Sequence, residues 1–156
     1  MMEAVIFIGI QAAGKSTFYQ ENFFKTHIRI NLDMLKTRHR ESILLDACIR
    51  GKQPFVVDNT NPTVEDRKRY ITIVKNAGFT VTGYYFHSCI QESIRRNESR
   101  TGREAVPVPG IKSTYAKLQL PRQEEGFDAL YFVRTGHDSS NHNKIFIVQE
   151  WKHEIQ

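Results

Sequence analysis

Short apolar runs alternate with segments of helical periodicity along the chain. The first run, residues 4–8, is apolar at every position and ends at Gly9, a pattern typical of a buried parallel strand. Similar runs predict further strands over residues 28–30, 55–57, 79–86, 130–133 and 145–148. Between them, the pattern predicts helices over residues 15–24, 40–49, 64–75, 90–100 and 111–118. This alternation predicts an α/β fold in which helices cover both faces of a parallel sheet.

Local patterns refine this arrangement. In the second predicted helix, apolar residues recur on one face: Ile43, Leu44, Ala47 and Cys48. The polar stretch 135–143 predicts a surface turn, and the region around Pro107, Pro109 and Gly110 predicts an irregular connection before the last helix. Neither a linker nor a repeat interrupts the pattern, so we expect one domain over residues 1–156.

The composition is that of an ordinary globular protein, with 40% hydrophobic and 25% charged residues. Because no apolar run approaches the length of a membrane span, we expect no membrane partner. The first residues include an acidic Glu3 and no basic residue, which argues against the positively charged start of a signal peptide. Cys48 and Cys89 stand far apart without metal-binding spacing, which predicts two buried thiols in a reducing cytoplasm.

The formal net charge of +5 is modest, but the basic residues are clustered. One cluster consists of Lys36, Arg38, His39 and Arg40. A second cluster consists of Arg95, Arg96, Arg100 and Arg103. Two such patches suit a polyanionic ligand, either nucleotide phosphates or a nucleic-acid backbone, unless they are simply solvated helix faces.

The residues directly after the first strand match G-x-x-x-x-G-K-[ST], the pattern of a phosphate-binding loop (P-loop). They are Gly9, Ile10, Gln11, Ala12, Ala13, Gly14, Lys15 and Ser16, followed by Thr17. Successive backbone N–H groups of such a loop point at one centre, and Lys15 adds a charge for the β- and γ-phosphates. The Ser16 hydroxyl is a hard oxygen ligand suited to Mg²⁺. The loop therefore predicts nucleotide binding, with ATP and Mg²⁺ as cofactors.

Two carboxylates follow later strands. Asp58 ends the apolar run 55–57, where P-loop enzymes carry a group that orients hydrated magnesium. The polar residues 59–61 that follow have no evident packing purpose. Asp33 lies at the expected carboxyl edge of the sheet, where a base would take the proton of an attacking hydroxyl. The alternative for Asp33 is the N-cap of the helix after it, and the residues alone leave both roles open.

The second arginine cluster predicts a lid. Arg96 and Arg100 are four residues apart and are expected to share one helix face, followed by a segment rich in glycine and proline. We expect residues of about 95–112 to close over the triphosphate, with these arginines neutralising charge on the transferring group. Arg95 and Arg103 are expected to be solvated.

Taken together, the motifs resemble the kinase domain of polynucleotide 5′-hydroxyl kinases, a family of nucleic-acid end-healing enzymes. The matching segments span nearly the whole chain and comprise residues 9–17, 31–33, 58–62 with Arg67, 96–100, 106–107 and 126–128. The P-loop is shared with many families, whereas D-N-T-N-P followed by R-N-x-x-R is far more restrictive.

This resemblance implies a role for each matching residue. Asp33 would be the general base on the 5′-hydroxyl, and Ser16 would hold magnesium. Lys15 with Arg100, joined by Arg96, would stabilise the transition state.

The resemblance also singles out the acceptor side. Three residues after the base, the family carries an arginine that grips the phosphate next to the acceptor nucleoside, and here that position is Lys36. Lysine keeps the charge but loses the bidentate fork, so Arg38 is the candidate to compensate.

These observations predict a kinase that transfers the γ-phosphate of ATP to the 5′-hydroxyl end of RNA or DNA. A separate 3′-end phosphatase or ligase is the partner that the resemblance implies. Two alternatives stay open, a P-loop kinase of a small metabolite or nucleotide sugar, and a non-catalytic, nucleotide-gated RNA-binding module.

Overall fold

The computed structural model describes residues 1–100 and 106–152. Six strands form one sheet: β1 (Glu3–Ile8), β2 (Ile28–Ile30), β3 (Phe55–Val57), β4 (Thr80–Phe86), β5 (Ala129–His137) and β6 (Lys144–Glu150). The helices are α1 (Lys15–Asn22), α2 (Leu32–Leu35), α3 (Arg38–Arg50), α4 (Val64–Asn76), α5 (Ile90–Glu98) and α6 (Val108–Lys117). The strand order is β2-β3-β1-β4-β5-β6, and only β6 pairs antiparallel with its neighbour. The predicted α/β class, with a mostly parallel sheet flanked by helices, is confirmed.

Strand β1 lies in the middle of the sheet, paired in parallel with both β3 and β4. Its residues alternate between two cores: Val5 and Phe7 contact the aromatic side chains of α1, whereas Ile6 packs with the residues of α3 and α4. A strand that is covered on both faces needs apolar residues at every position, as residues 4–8 provide. The connection after β1 leads to one side of the sheet (β2 and β3), whereas β4 is added on the other side of β1. The loop after β1 therefore opens into a crevice at the carboxyl edge of the sheet.

Some predicted elements differ from those in the structure. Residues 135–137 belong to β5 rather than to a turn, because they pair with residues 144–146 through backbone groups, which polar side chains do not prevent. Helix α6 begins at Val108, since the proline that follows stands in its first turn, where no backbone N–H is needed. The one-turn helix α2 lacks the length for a periodic signal and was not predicted.

The buried face of α3 also differs from the prediction. Its buried residues are Glu41, Leu45 and Cys48, whereas Ile43 is 57% exposed. The helix is rotated because the Glu41 carboxylate accepts hydrogen bonds from Asn59 and Tyr70 beneath it and from Arg38 at the start of the same helix, which makes burial of an acid favourable. Cys89 is half-buried, so the prediction of two buried thiols holds for Cys48 alone.

Helix α4 carries a buried ion pair into the core. Thr63 and Asp66 form a capping box at its start, which fixes where the helix begins. One turn later, Arg67 is fully buried and donates through Nε and NH2 to the two oxygens of Glu125, at 2.7 and 3.1 Å. Its third nitrogen donates to the carbonyl of Asn61 at 3.0 Å. The pair therefore ties α4 to the short 3₁₀ helix Gln123–Glu125 and to the loop after β3.

No helix in the described parts of the chain combines the length and the apolar character needed to cross a membrane.

Removing one partner of the Arg67–Glu125 pair should destabilise the domain strongly. Arg67→Met leaves a buried carboxylate without its cation, which typically costs about 3–5 kcal/mol of the free energy of unfolding. The double variant Arg67→Met/Glu125→Leu should recover part of that loss, because it leaves no unpaired charge. Urea denaturation measures both, with Arg69→Met on the exposed side of α4 as the control. If Arg67→Met unfolds at the wild-type urea concentration, the pair has no such role.

Candidate active site

The loop between β1 and α1 has the backbone that phosphate binding requires. Gly14 adopts φ 96° and Ala12 adopts φ 60°, both in the left-handed region that tightens the turn. A Cβ at Gly9 would lie 3.0 Å from that of Phe86, a tight contact that glycine avoids where the loop passes β4. The first backbone N–H groups of α1 have no acceptor within the helix, and together with its dipole they form an anion site at residues 14–17.

The Lys15 side chain is buried and curls back over its own loop. Its Nζ donates to the carbonyls of Gly9 at 2.8 Å and Ile10 at 2.6 Å. Burial lowers the pKa of Lys15 to about 8, the nearby carboxylates of Asp58 and Asp33 act to raise that pKa, and the charge of Arg100 lowers it further. The ammonium therefore lies in a water-poor site where a phosphate group would be a strong partner.

Ser16 and Asp58 meet at the start of α1. The Ser16 hydroxyl donates to Asp58 Oδ2 at 3.3 Å, and Asp58 is only 2% exposed although Ser16 is accessible. A third residue, Arg29 of β2, donates from Nε to the same Oδ2 at 2.8 Å and from NH2 to Ser16 Oγ at 2.9 Å. The two predicted magnesium ligands are thus in contact, with a guanidinium bound to both.

The polar residues after Asp58 have packing roles, contrary to expectation. Asn61 donates to the carbonyl of Phe7 at 2.8 Å and so fastens the loop to β1. Asn59 accepts from the backbone N–H of Leu32 at 2.9 Å and donates to Glu41 at 3.2 Å. These amides hold the carboxyl ends of three neighbouring strands in register with each other.

Asp33 lies exposed in the first turn of α2, and it does not cap that helix. The cap is Asn31, whose side chain accepts from the backbone N–H of Met34 at 3.0 Å and donates to the carbonyl of Asp58. The N-cap alternative for Asp33 is therefore wrong, because the helix begins one residue before it. The Asp33 carboxylate lies close enough to Lys15 for its charge to affect that lysine's pKa.

The two basic residues predicted for acceptor binding are two positions apart in the chain, and their side chains have different surroundings. Lys36 is exposed and adopts φ 75°, rare for a residue with a side chain. Arg38 is half-exposed and donates to Glu41 and to the Tyr70 hydroxyl, both at 2.9 Å. Arg38 is thus held by a buried acid, whereas Lys36 projects from the end of α2.

The arginines of the predicted lid approach the P-loop from α5. Arg96 donates to the carbonyl of Ala12 at 3.1 Å and to Thr135 at 3.2 Å. Arg100 follows the helix instead of lying on it, because α5 ends at Glu98, yet its charge acts on Lys15. The shared helix face predicted for the two arginines is therefore wrong, although both lie near the nucleotide site.

Asn97, in the last turn of α5, binds the backbone of Val106. This buried side chain accepts from the backbone N–H of Val106 at 2.7 Å and donates to its carbonyl. Arg95 is exposed, as expected, and Arg103 lies outside the described residues. The lid itself stays a prediction, since residues 101–105 lie outside the described residues as well.

Sequence reasoning assigned no role to Arg29 or Glu41, and it placed Asn97 in the R-N-x-x-R motif without giving it a role. Arg29 lies between two isoleucines in a short strand, and the alternation of the strand places it on the face of α1. The alternation therefore predicts the face on which Arg29 lies, but nothing in the strand predicts that its partner is Asp58. Glu41 and Asn97 resemble ordinary surface residues of a helix, and only tertiary contacts give them partners.

The central crevice, the glycine-bearing loop and the lysine at a helix start define a P-loop kinase-type domain. The chain belongs to the family described as AAA domain, whose model matches residues 5–123. The chain is also 28% identical over 129 residues to a bifunctional polynucleotide phosphatase/kinase of Schizosaccharomyces pombe. This alignment covers 80% of the chain and 32% of the relative, so the chain spans about a third of that protein's length. The resemblance to polynucleotide kinases is thereby confirmed.

Solved structures share the fold at low sequence identity. Kti12 of Chaetomium thermophilum, in complex with ADP-AlF3, superposes with a TM-score of 0.67 at 14% identity, covering 88% of this chain and 92% of that one. A gluconokinase of Sinorhizobium meliloti gives a TM-score of 0.56 at 16% identity, covering 85% and 82%. Because proteins of different names share it, the fold defines the class but not the acceptor.

The lowered pKa of Lys15 predicts how stability changes with pH. Between pH 8 and 10.5, the unfolded chain keeps a proton that the folded chain has released, so this residue makes the free energy of unfolding rise with pH. Lys15→Met removes this contribution, and its stability relative to wild type should fall by about 2 kcal/mol between pH 7 and pH 10. Urea denaturation at several pH values measures the difference, with the exposed Lys68→Met as control. A difference that does not vary with pH would contradict the assignment.

Proposed function

We propose that this domain transfers the γ-phosphate of ATP to the 5′-hydroxyl end of RNA or DNA. The observation that carries the proposal is the exposed Asp33 carboxylate, which lies beside Lys15 at the carboxyl edge and has no capping role. The name of the fission yeast relative, a polynucleotide phosphatase/kinase, supports the choice of acceptor. A 3′-end phosphatase or ligase that acts on the same ends stays a prediction.

Phosphoryl transfer requires a base beside the attacking hydroxyl and positive charge around the γ-phosphoryl group. As the 5′-oxygen attacks the γ-phosphorus, its proton passes to the Asp33 carboxylate, and the bond to the β-phosphate oxygen breaks. Lys15 and Arg100 neutralise the charge that develops on the equatorial oxygens. Arg96, bound to the carbonyl of Ala12, keeps the loop in its phosphate-binding shape while adding a third charge.

The oxygens of Ser16 and Asp58 suit a magnesium ion. Ser16 would bind it directly, and Asp58 would orient its water ligands, as hard oxygen donors do. Within the described residues, no three side chains of His, Cys, Asp or Glu gather as a metal site. That fits a P-loop, where substrate phosphates supply most of the non-water ligands. When bound, magnesium would neutralise charge on the β- and γ-phosphates.

The surface beside Asp33 favours an anionic acceptor. Lys36 projects from the end of α2 with a strained backbone, and such strain is often retained at functional sites. Arg38 lies two residues further on, and its link to Glu41 and Tyr70 fixes its position. These two cations, which follow the proposed base by three and five residues in the chain, would neutralise the phosphates that follow a 5′-terminal nucleoside.

Acceptor competition tests the proposal against its rivals. Labelled phosphate transfer from ATP to a 5′-hydroxyl oligonucleotide should proceed unchanged in excess gluconate, hexoses or nucleosides. A small molecule that takes the label in preference would indicate a metabolite kinase. Retention of nucleotide and RNA without any transfer would indicate a nucleotide-gated binding module instead.

Asp33→Asn should separate catalysis from folding. Asparagine keeps the size and polarity of the side chain but accepts no proton, and the cap of α2 belongs to Asn31. We expect kcat to fall by about 10²–10⁴-fold with an unchanged melting temperature. Asp46→Asn, on an exposed site of α3, is the matched control. Wild-type turnover in Asp33→Asn would exclude this residue as the base.

Lys36→Ala should weaken binding of the oligonucleotide and leave that of ATP unchanged. Loss of one phosphate contact raises KM for the acceptor. The variant releases fewer counterions than the wild type when it binds the oligonucleotide, so its affinity depends less on salt and the difference between the two should shrink as salt concentration rises. Lys52→Ala is a close control, since Lys52 is exposed and also has a positive φ, 54°. Steady-state kinetics at several salt concentrations measure the difference. An equal effect of both substitutions would remove Lys36 from the acceptor site.

A further inference from the structure

The guanidinium of Arg29 binds both oxygens that the proposed function assigns to magnesium. It reaches Asp58 Oδ2 at 2.8 Å and Ser16 Oγ at 2.9 Å. These two acceptors are themselves 3.3 Å apart, so one cation bridges them. Lys15 does not compete for this position, because its Nζ donates to two loop carbonyls.

The register of β2 against β3 places Arg29 beside Ser16 and Asp58. Arg29 pairs with Val56 across β2 and β3, and Val56 belongs to the core under α1. Partners in a parallel pair point to the same face, so the arginine runs along that face towards the first turn of α1. Its side chain stays 28% exposed, whereas Asp58 is 2% exposed. The arginine therefore has an open route to solvent that the carboxylate lacks.

The charges favour an exchangeable arrangement. A buried carboxylate such as Asp58 needs a cation or several donors, since an unpaired charge there is strongly unfavourable. The start of a helix, however, disfavours a cation, so Arg29 is held by Asp58 against the dipole of α1. A divalent ion that arrives with phosphate oxygens satisfies the same carboxylate and brings anionic groups that this helix end attracts.

We propose that Arg29 is the exchangeable counter-ion of the magnesium site: it neutralises Asp58 without nucleotide, and Mg²⁺ displaces it when it enters with the nucleotide. This inference rests on the proposed assignment of magnesium to Ser16 and Asp58. It has two consequences. Mg²⁺ alone binds weakly, because it must break the Arg29 contacts without help from phosphate oxygens. Mg²⁺ together with nucleotide moves the arginine off both oxygens.

Metal binding without nucleotide tests the first consequence. Arg29→Gln removes the competing charge, so Mn²⁺, followed by the electron paramagnetic resonance of the free ion, should bind at least about tenfold more tightly than to wild type. Mg²⁺ alone should also raise the melting temperature of Arg29→Gln but not that of wild type. Arg50→Gln breaks an exposed pair of the same type with Asp46 and is the matched control. Unchanged Mn²⁺ affinity in a folded Arg29→Gln would overturn the inference.

A measurement on the wild-type chain tests the second consequence and does not depend on a variant that folds. The Nε–H resonance of Arg29 should shift when Mg²⁺ and a non-hydrolysable ATP analogue are added together, but not when the analogue is added with EDTA. A resonance that stays in place at saturation overturns the inference. Phosphate transfer to a 5′-hydroxyl oligonucleotide, measured on the same protein preparation with ATP in place of the analogue, separates the two proposals. Transfer with a stationary Arg29 contradicts the exchange alone, whereas a shifted Arg29 without transfer contradicts only the kinase assignment.

Discussion

The buried carboxylate of Asp58 connects the parts of this domain on which the site depends. Its backbone N–H donates to the carbonyl of Ile30, and its own carbonyl accepts from Asn31, so β2 and β3 end at the same level. Its side chain meets Ser16 at the start of α1 and Arg29 on β2. Because a buried charge must be balanced, the position of this acid dictates that cations gather at the carboxyl edge of the sheet.

The rest of the site follows from that arrangement. The loop after β1 supplies N–H donors and a buried lysine whose pKa reflects both burial and the charges around it. The amides of Asn59 and Asn61 fasten the loop after β3 to the neighbouring strands, and Arg96 fastens the P-loop to α5. Rigid anchors of this kind keep phosphate-binding groups in place before a ligand arrives, and preorganisation of this sort lowers the barrier of phosphoryl transfer.

Local signals predicted the elements well wherever one physical cause dominated. The apolar run 55–57 has its observed bounds, because a buried parallel strand needs apolar residues on both faces. The edge strand 28–30 was also predicted with its observed bounds, from the two isoleucines on either side of Arg29. Prediction was wrong where tertiary contacts decide, as for Glu41, which takes a core position only because Tyr70 and Arg38 meet it. Arg29 was missed for the same reason. A P-loop can be read from local sequence, but the partner of a buried acid across a sheet cannot.

The location of the transferred phosphate tests the central claim most directly. One oligonucleotide with a 5′-hydroxyl and one of the same sequence with a 5′-phosphate are each incubated with the protein, Mg²⁺ and ATP labelled in the γ-phosphate. The products are then digested to mononucleotides. The account predicts label only with the 5′-hydroxyl strand, released as the 5′-monophosphate of its first nucleoside. Equal labelling of both strands, or label at any other position, would contradict it.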